Sequence, residues 1–135
     1  MDRLQLQTLS KLRRKEAAAL IRAKHYAGGY YLLGYAVECA LKACIAKAVE
    51  RHVLPPRDAQ KIYVHNLTQL RGFAGLEAEM SLPTNVELQL NWAIVKDWSE
   101  QKRYESSIGK QAARDFYSAC TARTYGVLPW ISKKW

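Results

Sequence analysis

Residues 28–50 read GGYYLLGYAVECALKACIAKAVE, and this stretch decides the fold. Leu33, Val37, Leu41, Cys44 and Ala48 make one apolar stripe. Leu32, Ala36, Cys39, Ala43 and Ala46 make a second beside it. Both repeat at steps of three and four, the helical period. Two adjacent stripes cover most of a helix's circumference, as the central helix of a bundle requires. The remaining stripe is Tyr31, Tyr35, Glu38 and Lys42. Glu38 precedes Lys42 by one turn in the favourable order, which on the bland reading is an intrahelical ion pair. On the sharper reading the same stripe is a polar edge at a binding or dimer surface.

Outward from this helix, residues 2–26 carry Leu6, Leu9, Leu12, Glu16, Ala19, Leu20 and Ala23 at helical spacing, with Gly28 and Gly29 expected to end that first helix. A link this short favours an antiparallel hairpin. Pro55-Pro56 is expected to stop the central helix. A short helix over Arg57 to Val64 and another capped by Asn66 and ending near Gly72 follow. Gly75 to Pro83 reads as a loop or a loose turn. Val86, Leu90, Ala93 and Ile94, with Trp92 and Val95 beside them, mark a third long helix ending near Trp98, and Ser99 to Ser107 is a polar connection. The last long helix runs from Ser107 to Tyr125 with Ile108, Ala112, Phe116, Ala119 and Cys120 inward. A short helix over Leu128 to Trp135 closes the chain. No sustained period-two run predicts a strand. The expected fold is all-α: an up-and-down four-helix bundle with a short helical insert between helices 2 and 3 and a short C-terminal helix, in one domain spanning 1–135.

The 135 residues suffice for one domain with a sizeable core. Charge throughout residues 2–16 argues against a secretory signal. Glu38, Lys42 and Lys47 interrupt the longest apolar run, so no membrane span is expected. Three cysteines without metal-ligand spacing are expected to be buried free thiols in a cytoplasmic protein. The net charge of +9 is uneven. Residues 1–25 hold seven Lys and Arg against two acids, and residues 102–135 hold the same, so each end carries +5 while 26–101 comes to −1. Basic poles of this kind suit an anionic partner: RNA, DNA, a nucleotide or an acidic protein.

The sequence has no Walker-type GxxxxGK[ST], no GxGxxG, no HExxH and no paired-Cys signature. None of His25, His52 and His65 follows a Glu by three residues, so a ferritin-like metal site has no ligand set. Neither metal nor cofactor is expected.

The stretch GYYLLGYAVECALKACIAK, the element Tyr63, His65, Asn66, Leu67 and Leu70, then Asn91-Trp92, Trp98, Arg103-Tyr104 and an apolar Gly-Val-Leu-x-Trp-Ile ending together resemble the HEPN domain family. These are small helical domains of prokaryotic defence and toxin–antitoxin systems. The likeness spans about 25–135. It implies a four-helix bundle, usually a homodimer with an interfacial cleft, acting as a ribonuclease toxin or as a noncatalytic RNA or nucleotide binder, often beside a minimal nucleotidyltransferase partner. Ribonuclease members carry Arg, four to six residues, then His; here no His follows His65, and that pattern is missing.

The expected binding residues are therefore Tyr31, Tyr35, Glu38, Lys42, His65, Asn66 and Arg103, in a protein that binds RNA or nucleotide without cutting it or serves as a partner subunit. The alternative is a degenerate metal-independent ribonuclease. In it His65 is the general base, Arg103 the phosphate clamp and Tyr104 an adjacent phenol. Structural roles compete for the same side chains. His65 can close the start of the short helix through a backbone hydrogen bond. Arg103 and Tyr104 can pack as a loop on Trp98 with the guanidinium on the indole.

Overall fold

The computed structural model describes residues 1–51, 60 and 62–135. It is all-helical, with no strand among the described residues. The α-helices are α1 (Arg3–Arg22), α2 (Tyr26–Glu50), α3 (Leu67–Phe73), α4 (Glu77–Met80), α5 (Val86–Val95), α6 (Lys110–Thr121) and α7 (Val127–Ser132). A 3-10 turn precedes α5 at Pro83–Asn85, and another, Glu100–Tyr104, links α5 to α6. Within 75–83, expected as a loop or loose turn, Glu77–Met80 forms one helical turn, and part of the expected polar connection 99–107 is a 3-10 turn. Pro55-Pro56 and most of the segment 57–64 lie outside the described residues.

Helix α2 is the central element: it packs on α1, α3, α6, α7 and the second 3-10 turn. From Leu33 to Ile45 every residue except Tyr35 and Lys42 is buried. The two apolar stripes are both used, against different neighbours.

The α1–α2 joint differs from expectation. α1 ends at Arg22, and Gly28 and Gly29 belong to the first turn of α2. The reversal is made by Lys24, whose φ of 67° places it in the left-handed region. Its N–H donates to Ile21 O, and that of His25 donates to Leu20 O at 2.8 Å. This pair of bonds satisfies the last carbonyls of α1 and normally selects glycine at the left-handed position. Gly75, with φ of 73°, does the same job after α3. Gly29 serves packing instead: a Cβ there would sit 2.5 Å from Ile21 Cγ1 and 3.2 Å from Ala17 O. The two helices approach through small residues, Ser10 and Ala17 on α1 among them, and the Ser10 hydroxyl donates to Ala36 O at 2.7 Å. The buried face of α1 is therefore Leu6, Ser10 and Ala17, while Leu12 is exposed.

Two more faces are rotated from expectation. On α5 the buried residues are Leu88, Trp92 and Val95, whereas Val86, Leu90, Ala93 and Ile94 face outward. On α6 Ala113, not Ala112, points in, beside Phe116, Ala119 and Cys120. The C-terminus docks as expected: Val127, Leu128, Trp130 and Ile131 are buried and Trp135 packs against the core.

Candidate functional site

Glu38 is 3% exposed, the most buried charged group among the described residues. A carboxylate in such a place needs partners, and two supply them. Lys42 Nζ donates to Oε2 at 3.2 Å, and His65 Nδ1 lies 2.8 Å from Oε1. The first contact is the intrahelical pair read from spacing, here with the Lys42 side chain only 12% exposed. The second reaches 27 residues along the chain and ties the segment before α3 to the central helix. Because a carboxylate only accepts, the proton shared with Glu38 sits on Nδ1, and Nε2 is left as the second nitrogen of a ring whose side chain is 44% exposed. His65 does not close α3. Asn66 does that, its Oδ1 accepting from Gln69 N at 2.9 Å.

One turn before Glu38, Tyr35 meets Tyr31 edge-on with ring centroids 5.1 Å apart and Trp98 at 5.0 Å. The Trp98 indole occupies the space above Gly34, where a Cβ would overlap the ring. Burial, followed by the adjoining Tyr31 and the Glu38 charge, pushes the Tyr35 hydroxyl well above the usual phenol range. Arg103 acts on it in the opposite sense, which places that guanidinium within electrostatic reach of the tyrosine pair. Arg103 does not stack on Trp98. Its guanidinium lies 4.8 Å from the Tyr104 ring centroid, and a hydrogen bond to Tyr104 raises its already high pKa.

Two hollows flank this stripe. One, about 230 Å3, is lined by Leu6, Tyr35, Glu38, Lys42, Ile62 and Tyr63 among others. The next, about 330 Å3, is lined by Leu9, Arg13, Tyr31, Leu32, Tyr35 and Cys39. Leu9, Tyr35 and Cys39 are common to both, so the stripe is a continuous edge. Its cations are largely spoken for, since Lys42 pairs with Glu38 and Arg13 with Glu16. Arg103 lines neither hollow but is exposed and within electrostatic reach of Tyr31 and Tyr35.

The sequence did not reveal that the two basic ends meet. α1 packs on α6, and Lys11 and Arg14 of α1 share a hollow with Leu128, Ser132 and Trp135. Lys11 Nζ sits 5.7 Å over the Trp135 ring. Two segments of +5 each are thus neighbours, and Lys11 and Arg14 of the first lie beside Trp135 at the end of the second. Among the described residues there is no cluster of three or more potential metal ligands, and no helix is long and apolar enough to cross a membrane.

No family model, no curated protein and no solved structure matches the chain.

Proposed function

We propose that the chain is a HEPN-like domain that binds RNA or a nucleotide without cleaving it, as a homodimer or as the partner subunit of a minimal nucleotidyltransferase. The observation that carries this reading is the seam where the basic α1 packs on α6, with Lys11 and Arg14 of α1 beside Trp135. Phosphates lie on that seam and on Arg103, and bases rest against Tyr31 and Tyr35. Glu38, Lys42, His65 and Asn66 shape the floor of the edge rather than supply net charge to it. In this reading α1, α2, α5 and α6 are the rods of an up-and-down bundle. The contacts of α2 with α1 and α6, and of α5 with α6, support that arrangement. The dimer uses the outward apolar strip of α5, Val86, Leu90 and Ile94.

The test is filter binding of single-stranded RNA over a salt series. The expected result is retention at low salt that falls steeply as salt rises, because phosphate contacts release counterions. No retention at the lowest salt rejects the reading.

One observation favours a second reading, a metal-independent ribonuclease. Glu38 orients the His65 ring and leaves Nε2 for proton transfer, with Arg103 near the same tyrosines to steady a phosphate. RNA cleavage in the presence of chelator, lost in His65→Ala, is its signature. Clean protein that leaves RNA intact removes it.

A further inference from the structure

Away from the tyrosine edge, between the α1–α2 turn and α6, lies a hollow of about 430 Å3. Arg22, Lys24, Lys110 and Arg114 line it, together with the phenols of Tyr26 and Tyr117. None of the four cations has a carboxylate within ion-pair distance among the described residues. The paired acids are engaged elsewhere: Glu16 with Arg13, Glu38 with Lys42, Glu50 with Arg3, Glu77 with Arg71 and Glu79 with Lys134. Asp115, next to Arg114 in sequence, accepts from Gln111 instead.

Four like charges round one concavity repel one another and lower stability. One of them, Lys24, also sits at the left-handed backbone position that glycine would occupy without strain. The arrangement costs the fold twice, and only Arg22 and Lys24, at the C-terminal end of α1, gain something back from the helix dipole. A ligand that carries several negative charges in a small volume reverses the sign of the first cost. An internal phosphodiester strand offers one charge per nucleotide along an extended line and suits the open seam. A concave cluster suits a compact chain of phosphates, whose oxygens accept charge-assisted hydrogen bonds from several cations at once. The cavity volume is within the range of small-molecule sites, and the two phenols offer donors and a stacking surface beside the cations.

We propose that this hollow receives a terminal oligophosphate, the triphosphate of a free nucleotide or of an RNA 5′ end. This goes beyond RNA binding at the seam, and the two stand or fall separately.

The experiment is calorimetric titration of the whole chain at low salt with inorganic tripolyphosphate, ATP, and one short RNA made with either a 5′-triphosphate or a 5′-hydroxyl. Tripolyphosphate is expected to bind, and the triphosphate RNA to bind about tenfold more tightly than its hydroxyl twin. Arg114→Ala and Lys24→Gly are each expected to weaken tripolyphosphate binding about fivefold or more. Lys24→Gly keeps the turn geometry, so its loss of binding is not a loss of fold. ATP tighter than tripolyphosphate assigns the hollow to a free nucleotide. Triphosphate RNA tighter than ATP assigns it to an RNA end. No heat with tripolyphosphate, or equal affinity in wild type and both variants, overturns the proposal. Hydroxyl RNA that still binds in that case leaves the RNA reading intact, and tripolyphosphate binding without any RNA binding leaves only the hollow.

Discussion

The Glu38 carboxylate, buried midway along α2, accepts a hydrogen bond from His65 Nδ1 at 2.8 Å and so fastens the approach to α3 onto the central helix. With its other oxygen on Lys42, one side chain joins three elements of the proposed edge: the helix, the insert and the Tyr35 hollow. Breaking such a buried pair from one side strands a charge in a low-dielectric setting.

Glu38→Gln is therefore expected to lower stability by about 3 kcal/mol in urea unfolding. His65→Ala, whose side chain is 44% exposed, costs less than about 1 kcal/mol. Adding Lys42→Met to Glu38→Gln restores much of the loss, because no charge is then left unpaired. A double variant no more stable than Glu38→Gln alone would contradict this account.

Gly34→Ala puts a methyl where the Trp98 indole lies. Trp98 is fully buried and flanked by Tyr31 and Tyr35, so it must shift. The expected cost is about 1–3 kcal/mol, with indole emission moving to longer wavelength. Native emission and an unchanged urea midpoint would show that the site has slack.

Lys24→Gly is expected to raise stability by about 1 kcal/mol, since the left-handed φ of 67° is strained for lysine and not for glycine. Gly75→Ala, at the matching turn after α3, is expected to lower it by a similar amount. Thermal unfolding of the two variants checks both signs.

The thiols give a pH dependence. All three cysteines are free and buried. Burial pushes Cys39 and Cys44 each from an ordinary 9.0 up to about 11, and Cys120, the most enclosed, further still. The folded pKa is raised, so the protonated thiols' contribution is complete below pH 9 and is lost as pH climbs towards 11. Urea midpoints are expected to fall across that window, and less so in the Cys39→Ala, Cys44→Ala double variant. Native protein at pH 8 is expected to resist thiol reagents until denatured.

Leu90 is 64% exposed, between Val86 at 55% and Ile94 at 45%. Leu90→Lys is expected to leave the urea midpoint within about 0.5 kcal/mol of wild type. Where the proposed dimer uses this face, sedimentation is expected to move from dimer to monomer in the same variant. A dimer that survives it uses another face.

The all-helical character and the central role of 28–50 were legible in the sequence, because two stripes at helical spacing leave α2 no other burial. The Glu38–Lys42 pair was legible for the same reason: both partners lie on one helix. The face of α5 was not. Val86, Leu90 and Ile94 keep helical spacing, but so do Leu88, Trp92 and Val95. What decides between them is tertiary: Arg71 lies 4.9 Å over the Trp92 ring, and Asn91 donates to Tyr125 O. The turn after α1 misled, because Gly29 marked a close helix approach while Lys24 took the left-handed position. Of the candidate site, the His65–Glu38 contact and the Trp98–Gly34 contact join residues far apart in the chain, with no periodicity to announce them. The pooling of the two basic ends was invisible for the same reason.

The α1–α2 joint also bears on the order of assembly. Two long helices connected by only three residues meet through contacts close in sequence, which form quickly because little chain must be ordered first. With Ser10 bonded across to Ala36 and Gly29 nested against Ile21, this pair is the natural seed of folding. Its amide hydrogens in the Ala36–Ile45 region should be the last in the molecule to exchange with heavy water.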